Sequence, residues 1–149
     1  MIFRPALRAD VPAIVGLLAD DSLGAAREVV SEELDAAYWR AFDAIDGDPH
    51  NTVVVADLDG EVVGTMQLIL IPSLSRRGAW RLEIEAVRVA SAHRGAGLGR
   101  QMIGWAIDEA RARGCVLVQL TTDKRRTDAK RFYESLGFAA THEGMKLAL

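Results

Sequence analysis

The chain has 149 residues, half of them apolar and 26% charged, with a formal net charge of −3 and a pI near 5.6. That length suits one domain with its own core (1–149), the composition excludes a disordered chain, and the acidic balance argues against the basic field of a nucleic-acid binder. The lone Cys115 rules out an intramolecular disulfide and a cysteine-rich zinc site, and no apolar run approaches the roughly 20 residues needed to span a bilayer. The first residues, MIFRPALRAD, lack the apolar centre of a signal peptide, so a cytoplasmic protein without membrane contact is expected.

Residues 2–7 suit a first strand. Asp10 is a predicted N-cap, with Pro12 in the first turn of a helix carrying Ile14, Val15, Leu17 and Leu18. Ser31 opens a second predicted helix, with Glu32 and Glu33 well placed for its dipole, running to about Ala44 and ending in Asp46-Gly47-Asp48-Pro49. The β-branched runs 52–58 and 61–71, joined at Asp59-Gly60, predict a hairpin. PSLSRRG (72–78) reads as a loop and 80–90 as the next strand. A helix over about 97–113 places Leu98, Met102, Ile103, Ala106, Ile107 and Ala110 on one apolar face and ends at Gly114. Residues 115–121 suit a short buried strand, 127–136 a helix stopped by Gly137, and 138–149 the last two strands. The hairpin makes the first part of the sheet antiparallel, whereas the later β-α-β step is expected to be parallel and right-handed.

One stretch stands out. VRVASAHRGAGLGRQM (87–102), with the helix behind it, carries Gly95, Gly97, Gly99 and Gly104 within ten positions, after an apolar strand and at the start of a helix. Glycine loses more freedom on folding than other residues, so this density needs a reason: close approach of the backbone to a ligand, or a surface turn. The first amides of a helix have no intrahelical partners and sit at the positive end of its dipole, and Arg94 and Arg100 add guanidinium donors, so a phosphate group would fit there. A P-loop is excluded, because Gly99-Arg100-Gln101 lacks its lysine and hydroxyl. The dinucleotide fingerprint is excluded by the glycine spacing and by the position after the fourth strand.

Three motifs together resemble one family. Arg94-Gly95-Ala96-Gly97-Leu98-Gly99 matches R/Q-x-x-G-x-G/A, Glu85-Ala86-Val87-Arg88-Val89 is similar to the strand leading into it, and AKRFYESLGF (129–138) is similar to A-x-x-F-Y-E-x-L-G-F. At this mutual spacing, and with the closing HEGMKL (142–147), the chain resembles the GNAT N-acetyltransferase superfamily over essentially its whole length. The resemblance implies an α/β (α+β mixed) fold: a mixed, mostly antiparallel sheet of six to seven strands, flanked by four helices and splayed between strands 4 and 5. It implies acetyl-CoA as co-substrate, with no metal. The main chain of Val87 and Val89, with Arg88 between them, would meet the pantetheine arm. The amides of Arg94, Gly95, Ala96, Gly97, Leu98 and Gly99, with Arg100, would hold the pyrophosphate. Tyr133 would sit near the sulfur, and Ala129 and Phe132 would be further cofactor-binding residues. Where the family often has an asparagine, this chain has Arg126, which reaches the 3′-phosphate or diphosphate region or leaves that contact missing.

Acetylating an amine requires a base, because an alkylammonium with a pKa near 10.4 is neutral only to the order of one part in a thousand at pH 7. Glu83 and Glu85 alternate onto one strand face; Glu85 stands where the resemblance puts a base, although both also suit solvated or paired charges. The resemblance assigns the oxyanion donor to the Val87 N–H and the acid for the thiolate to Tyr133. Transfer is expected to be direct, with both substrates bound, and without a covalent role for Cys115. His50, His93 and His142 show no metal-ligand spacing, and His142 lies towards the expected acceptor side. Candidate acceptor-lining residues are Asp20, Asp21, Glu28, Tyr38, Trp39, Met66, Gln67, His142 and Glu143, which suit a cationic amine, while Arg76 and Arg77 suit an acidic group. A small-molecule primary amine is expected ahead of a protein amine. The competing reading is an acyl-CoA-binding sensor without turnover, and a homodimer through the last strands stays open.

Overall fold

Five strands lie side by side in chain order: β1 (Ile2–Pro5), β2 (Asn51–Leu58), β3 (Glu61–Pro72), β4 (Trp80–Val89) and β5 (Leu117–Leu120). β1 to β4 are antiparallel neighbours. The Val116 N–H donates to the Trp80 carbonyl at 2.9 Å and the Gln119 amide to Glu83 at 2.8 Å, pairs that advance together along both strands, so β5 runs parallel to β4. The helices are α1 (Val11–Ala19), α2 (Ala36–Asp46), the single turn α3 (Ser75–Gly78), α4 (Leu98–Ala112) and α5 (Thr127–Glu134). This computed structural model describes residues 1–21, 24–31 and 33–149, which divide into two units, Met1–Gln119 and Leu120–Leu149.

The mixed α/β architecture is the one expected, with a shorter sheet. Residues 138–149 form no strand: apart from Thr141 the stretch AATHEGMKLAL holds no β-branched residue, and its one internal backbone bond is a tight turn from Thr141 N–H to the Ala139 carbonyl. α2 starts later than the Ser31 signal suggests. Asp35 caps it, its carboxylate accepting from the Ala37 N–H at 2.7 Å, so Glu33 precedes the helix; Glu32 lies outside the described residues. Asp10 does precede α1, but its carboxylate accepts from the Leu7 N–H and pairs with Arg4 instead of capping the helix.

The core of the first unit follows the periodicities. Val54, Val55, Ala56, Val63, Met66, Leu82 and Ile84 of the strands and Leu98, Met102, Ile103, Ala106 and Ala110 of α4 are buried, with Val55 packed among Ala6, Val11, Ile14, Val15 and Phe42 on the α1–α2 side. Ile107 stays half-exposed at the edge of that face, and Val116 and Leu117 are exposed, so β5 is not the buried strand its composition suggests. α4 and α5 end in the same motif. Cys115 and Gly114 donate back to Ala110 and Arg111 at 2.9 and 3.0 Å, as Phe138 and Gly137 do to Tyr133 and Glu134 at 3.2 and 3.0 Å.

Candidate active site

β4 is regular up to Glu85 and then breaks step. Gln67 pairs with Glu85 and Thr65 with Arg88, so Ala86 and Val87 together face the single residue Met66. This is a β-bulge, and Ala86 sits at φ +52, a conformation alanine rarely adopts. Such a bulge turns the local backbone groups out of the ladder. In the register set by Trp80 and Val116, β4 also continues past the end of β5, so the two strands part around Glu85–Val89. Gln67 and Glu85 stand directly opposite, so their side chains leave the same sheet face, and Glu85 is half-buried. Glu83, the other carboxylate of that face, accepts the Gln119 amide at 2.8 Å.

Four residues past β4 the chain enters the glycine turn. Gly95 and Gly97 have φ of +79 and +83, and a Cβ at either would meet nothing within 4 Å, so both the conformation and the free space suit glycine. Gly97 caps α4, and the first bond of that helix is Gln101 N–H to the Gly97 carbonyl at 3.1 Å, so the amides of Leu98, Gly99 and Arg100 have no partner from within the helix. The Leu98 side chain is buried in the core, which leaves its amide as the group it offers; Ala96 and Arg100 are exposed. Gly99 and Gly104 lie inside α4, so only half of the glycine cluster answers to the backbone. Arg94 has a task of its own. Its guanidinium donates to the Asp20 carbonyl and carboxylate and, through Nε, to the Val89 carbonyl at 3.0 Å, while the Ser91 N–H donates to Asp20 at 3.1 Å. Arg88 pairs with Asp21 at 3.4 Å. The end of α1 is thereby tied to the end of β4 and to the turn.

On the α1–α2 side lies a cavity of about 120 Å³. Its walls are Val11, Ile14, Val15 and Leu18 of α1 and Tyr38, Ala41, Phe42 and Ile45 of α2; Val53 of β2, Thr65, Met66 and Gln67 of β3, and Ala86 of the bulge form the floor. Of the expected acceptor residues, Tyr38, Met66 and Gln67 are brought here. The others are not. Asp20 and Asp21 hold arginines, Glu28 accepts from the Tyr38 hydroxyl at 2.7 Å, and the Trp39 ring lies 4.9 Å under the Arg8 guanidinium. Arg76 and Arg77, both left-handed, lie in α3 ahead of the start of β4, the end away from the bulge. The apolar cavity walls read as ordinary core in the sequence, and nothing in an alanine flags the bulge.

In the second unit, Arg126 occupies the N-cap position of α5 and its carbonyl accepts from Lys130 N–H at 3.1 Å, with Ala129 one turn into the helix. Half-buried Tyr133 meets Phe132 and Phe138 edge-on, with ring centroids 5.2 and 5.9 Å apart. His142 Nδ1 shares a hydrogen bond of 2.7 Å with the Thr141 hydroxyl, and Glu143 pairs with Lys124 at 3.3 Å. In the first unit, burial pushes the half-buried Cys115 thiol above its usual range. No helix among the described residues is long and apolar enough to cross a membrane.

A mixed sheet whose fourth strand bulges, parts from the fifth and feeds a glycine turn at a helix N-terminus defines a fold that comparison identifies. The profile of the Acetyltransferase (GNAT) family matches residues 17–138. An aminoalkylphosphonate N-acetyltransferase of Salmonella typhimurium is 36% identical over 116 residues, 77% of this chain and 75% of that protein. A glucosamine 6-phosphate N-acetyltransferase of Trypanosoma brucei brucei is 37% identical over 90 residues, 60% of this chain and 59% of its own length. Among solved structures, one described as a transcriptional regulator from Bacillus halodurans C-125 superposes with a TM-score of 0.97 at 48% identity, covering 99% of each chain. The chain belongs to the acetyltransferase (GNAT) family and is an N-acetyltransferase.

Proposed function

We propose that this single-domain protein moves the acetyl group of acetyl-CoA onto a primary amine of a small molecule, by direct attack with both substrates bound. The observation that carries this reading is the bulge at Ala86–Val87, which joins the glycine turn on one side to the cavity floor on the other. The names of the relatives, which acetylate aminoalkylphosphonates and an amino-sugar phosphate, support a small amine over a protein amine.

Acetyl-CoA supplies the acyl group and a thiolate leaving group when bound. The residues present fit it: open space beside Gly95 and Gly97 and helix amides without helical partners suit a pyrophosphate held by residues 94–99 and Arg100. The main chain of Val87, Arg88 and Val89 pairs with the pantetheine arm. The Arg94 amide, which donates to the Ser91 carbonyl at 3.3 Å, and the Arg94 side chain both fix the turn, and Arg126, Ala129 and Phe132 complete the binding set. Glu85, on the sheet face of Gln67, receives the amine proton directly or through water. The Val87 N–H donates to the thioester carbonyl oxygen as it gains charge. Tyr133 gives its proton to the departing sulfur. A Cys115 thiol raised by burial is a poor nucleophile, which favours direct transfer over an acyl-cysteine.

Release of free CoA thiol on mixing protein, acetyl-CoA and a library of amines tests the activity. Tyr133→Phe is expected to lower kcat on the order of 10²-fold while leaving acetyl-CoA affinity within about twofold; unchanged kcat removes Tyr133 as the acid.

A further inference from the structure

The cavity between α1, α2 and the sheet carries information about the acceptor that the relatives do not. Among the described residues its lining contains no charged side chain. A phosphonate or sugar phosphate drawn into it would lose water and meet no cation in that lining, which disfavours a buried ion. Its polar groups are mostly taken. The Thr65 hydroxyl donates to the Val54 carbonyl at 3.2 Å and the Gln67 amide nitrogen to Asn51 at 2.9 Å. The Tyr38 hydroxyl donates to Glu28 at 2.7 Å and accepts from the Val29 N–H at 3.1 Å. Water in the cavity would therefore find few of the partners that hold buried water in place, whereas an apolar group there loses nothing.

Size and position narrow the occupant. A cavity of about 120 Å³ is close to the roughly 150 Å³ of apolar cavities that take up benzene, so it fits a group of about four to six carbons. It reaches Ala86, flanked in sequence by the proposed base Glu85 and the proposed donor Val87. None of its walls belongs to the glycine turn or to α4, which are assigned to the pyrophosphate, and of β4 it touches Ala86 and none of Val87, Arg88 and Val89, which are assigned to the pantetheine arm. A substituent pointing from the reacting atoms into this space thus belongs to the amine and not to CoA.

We infer that the acceptor is a primary amine bearing an uncharged branched-alkyl or aryl group of about four to six carbons, seated against Ile14 and Leu18 of α1, Phe42 and Ile45 of α2, Met66 and Ala86. This rests on the acetyl-transfer reading above. It sets the chain apart from the relatives named for phosphonate and phosphate amines.

The test is kcat/KM by thiol release with acetyl-CoA for ethylamine, butylamine, 2-phenylethylamine and 2-aminoethylphosphonate, with butyryl-CoA as an alternative donor. Each methylene seated in the cavity is expected to raise kcat/KM about fourfold, and 2-aminoethylphosphonate falls below butylamine. Ile45→Phe and Leu18→Phe, which fill the cavity from two helices, are each expected to cut the butylamine-to-ethylamine ratio about tenfold or more. Acetyl-CoA affinity, measured separately, shows which of the two has folded. A flat amine series, or a preference for the phosphonate, overturns the inference while turnover itself keeps the acetyltransferase reading. A rise with butyryl-CoA in place of the rise with amine length also overturns it, assigning the cavity to the acyl chain. Turnover of no amine while acetyl-CoA still binds overturns the reading and the inference together.

Discussion

Ala86 at φ +52 is held where it is by its neighbours, because an alanine in the left-handed region costs on the order of 1–3 kcal/mol. Ile84 before it is buried and Arg88 after it is paired, so both sides of the bulge are anchored and the strain stays local. Val at this position adds a β-branched clash. Ala86→Val is expected to lower stability by about 1–3 kcal/mol in urea unfolding and to slow thiol release, while Ala86→Gly stays within about 1 kcal/mol of the parent. Gly97 is the counterpart on the donor side. At φ +83 a side chain is strained by about 1–2 kcal/mol, and its Cβ points into the space proposed for the pyrophosphate. Gly97→Val is expected to weaken acetyl-CoA binding about tenfold or more in a calorimetric titration, and unchanged affinity would remove that assignment.

Helix α2 shows how one cap decides a cavity. With its N-terminus at Asp35, the helix presents Tyr38, Ala41, Phe42 and Ile45, spaced by three or four residues, to the same space as α1. Asp35→Ala removes the bond to the Ala37 N–H and is expected to cost about 1 kcal/mol in thermal unfolding. Loosening that wall is expected to raise KM for the amine more than KM for acetyl-CoA; an equal change in both would separate α2 from the acceptor. α4 behaves differently, since its start is set by a glycine in the left-handed region and its inner face is packed with Leu98, Met102 and Ile103. The end of α1 reaches the glycine turn through Asp20 and Arg94, so the acceptor wall and the donor loop share a hydrogen-bonded joint.

At the scale of the molecule, an ionic junction ties β1, the turn before α1 and the end of β2 together. Arg4 bonds Asp10 at 2.7 Å and Asp57 at 2.9 Å, with all three side chains largely buried. The Arg4 guanidinium holds the Asp10 carboxyl below the usual range; the Gly60 N–H and then Arg4 do the same for Asp57. Folded values below unfolded ones mean that these pairs stabilise the fold above the unfolded carboxylate pKa of about 3.9. That stabilisation is lost as the pH falls below it and through the folded values. The stability gap between the parent and Arg4→Met is expected to be largest above about pH 4 and to shrink at lower pH, as read by urea unfolding across that range. A gap that widens on acidification would show that Arg4 acts through packing instead.

Much of this protein is local and was legible in its residues: the hairpin at Asp59-Gly60, the apolar face of α4, the glycine stops of α4 and α5, and the motif resemblance that points to the donor. Each of these depends on residues near one another in the chain, where turn chemistry and periodicity act directly. The rest needed tertiary structure. The bulge at Ala86 is a mismatch in register between β3 and β4, and no residue type marks it. The arginine of the glycine motif turns to Asp20, 74 positions away, and apart from Tyr38, Met66 and Gln67 the cavity is lined by residues of α1, α2 and three strands, nearly all apolar, that read as plain core. The closing residues 138–149 carried an expectation of two strands, which a stretch with Thr141 as its one β-branched residue does not sustain. Motifs hold the chemistry of the donor because a backbone turn is written in consecutive residues, whereas the acceptor is shaped by how separate elements pack, which only the fold decides.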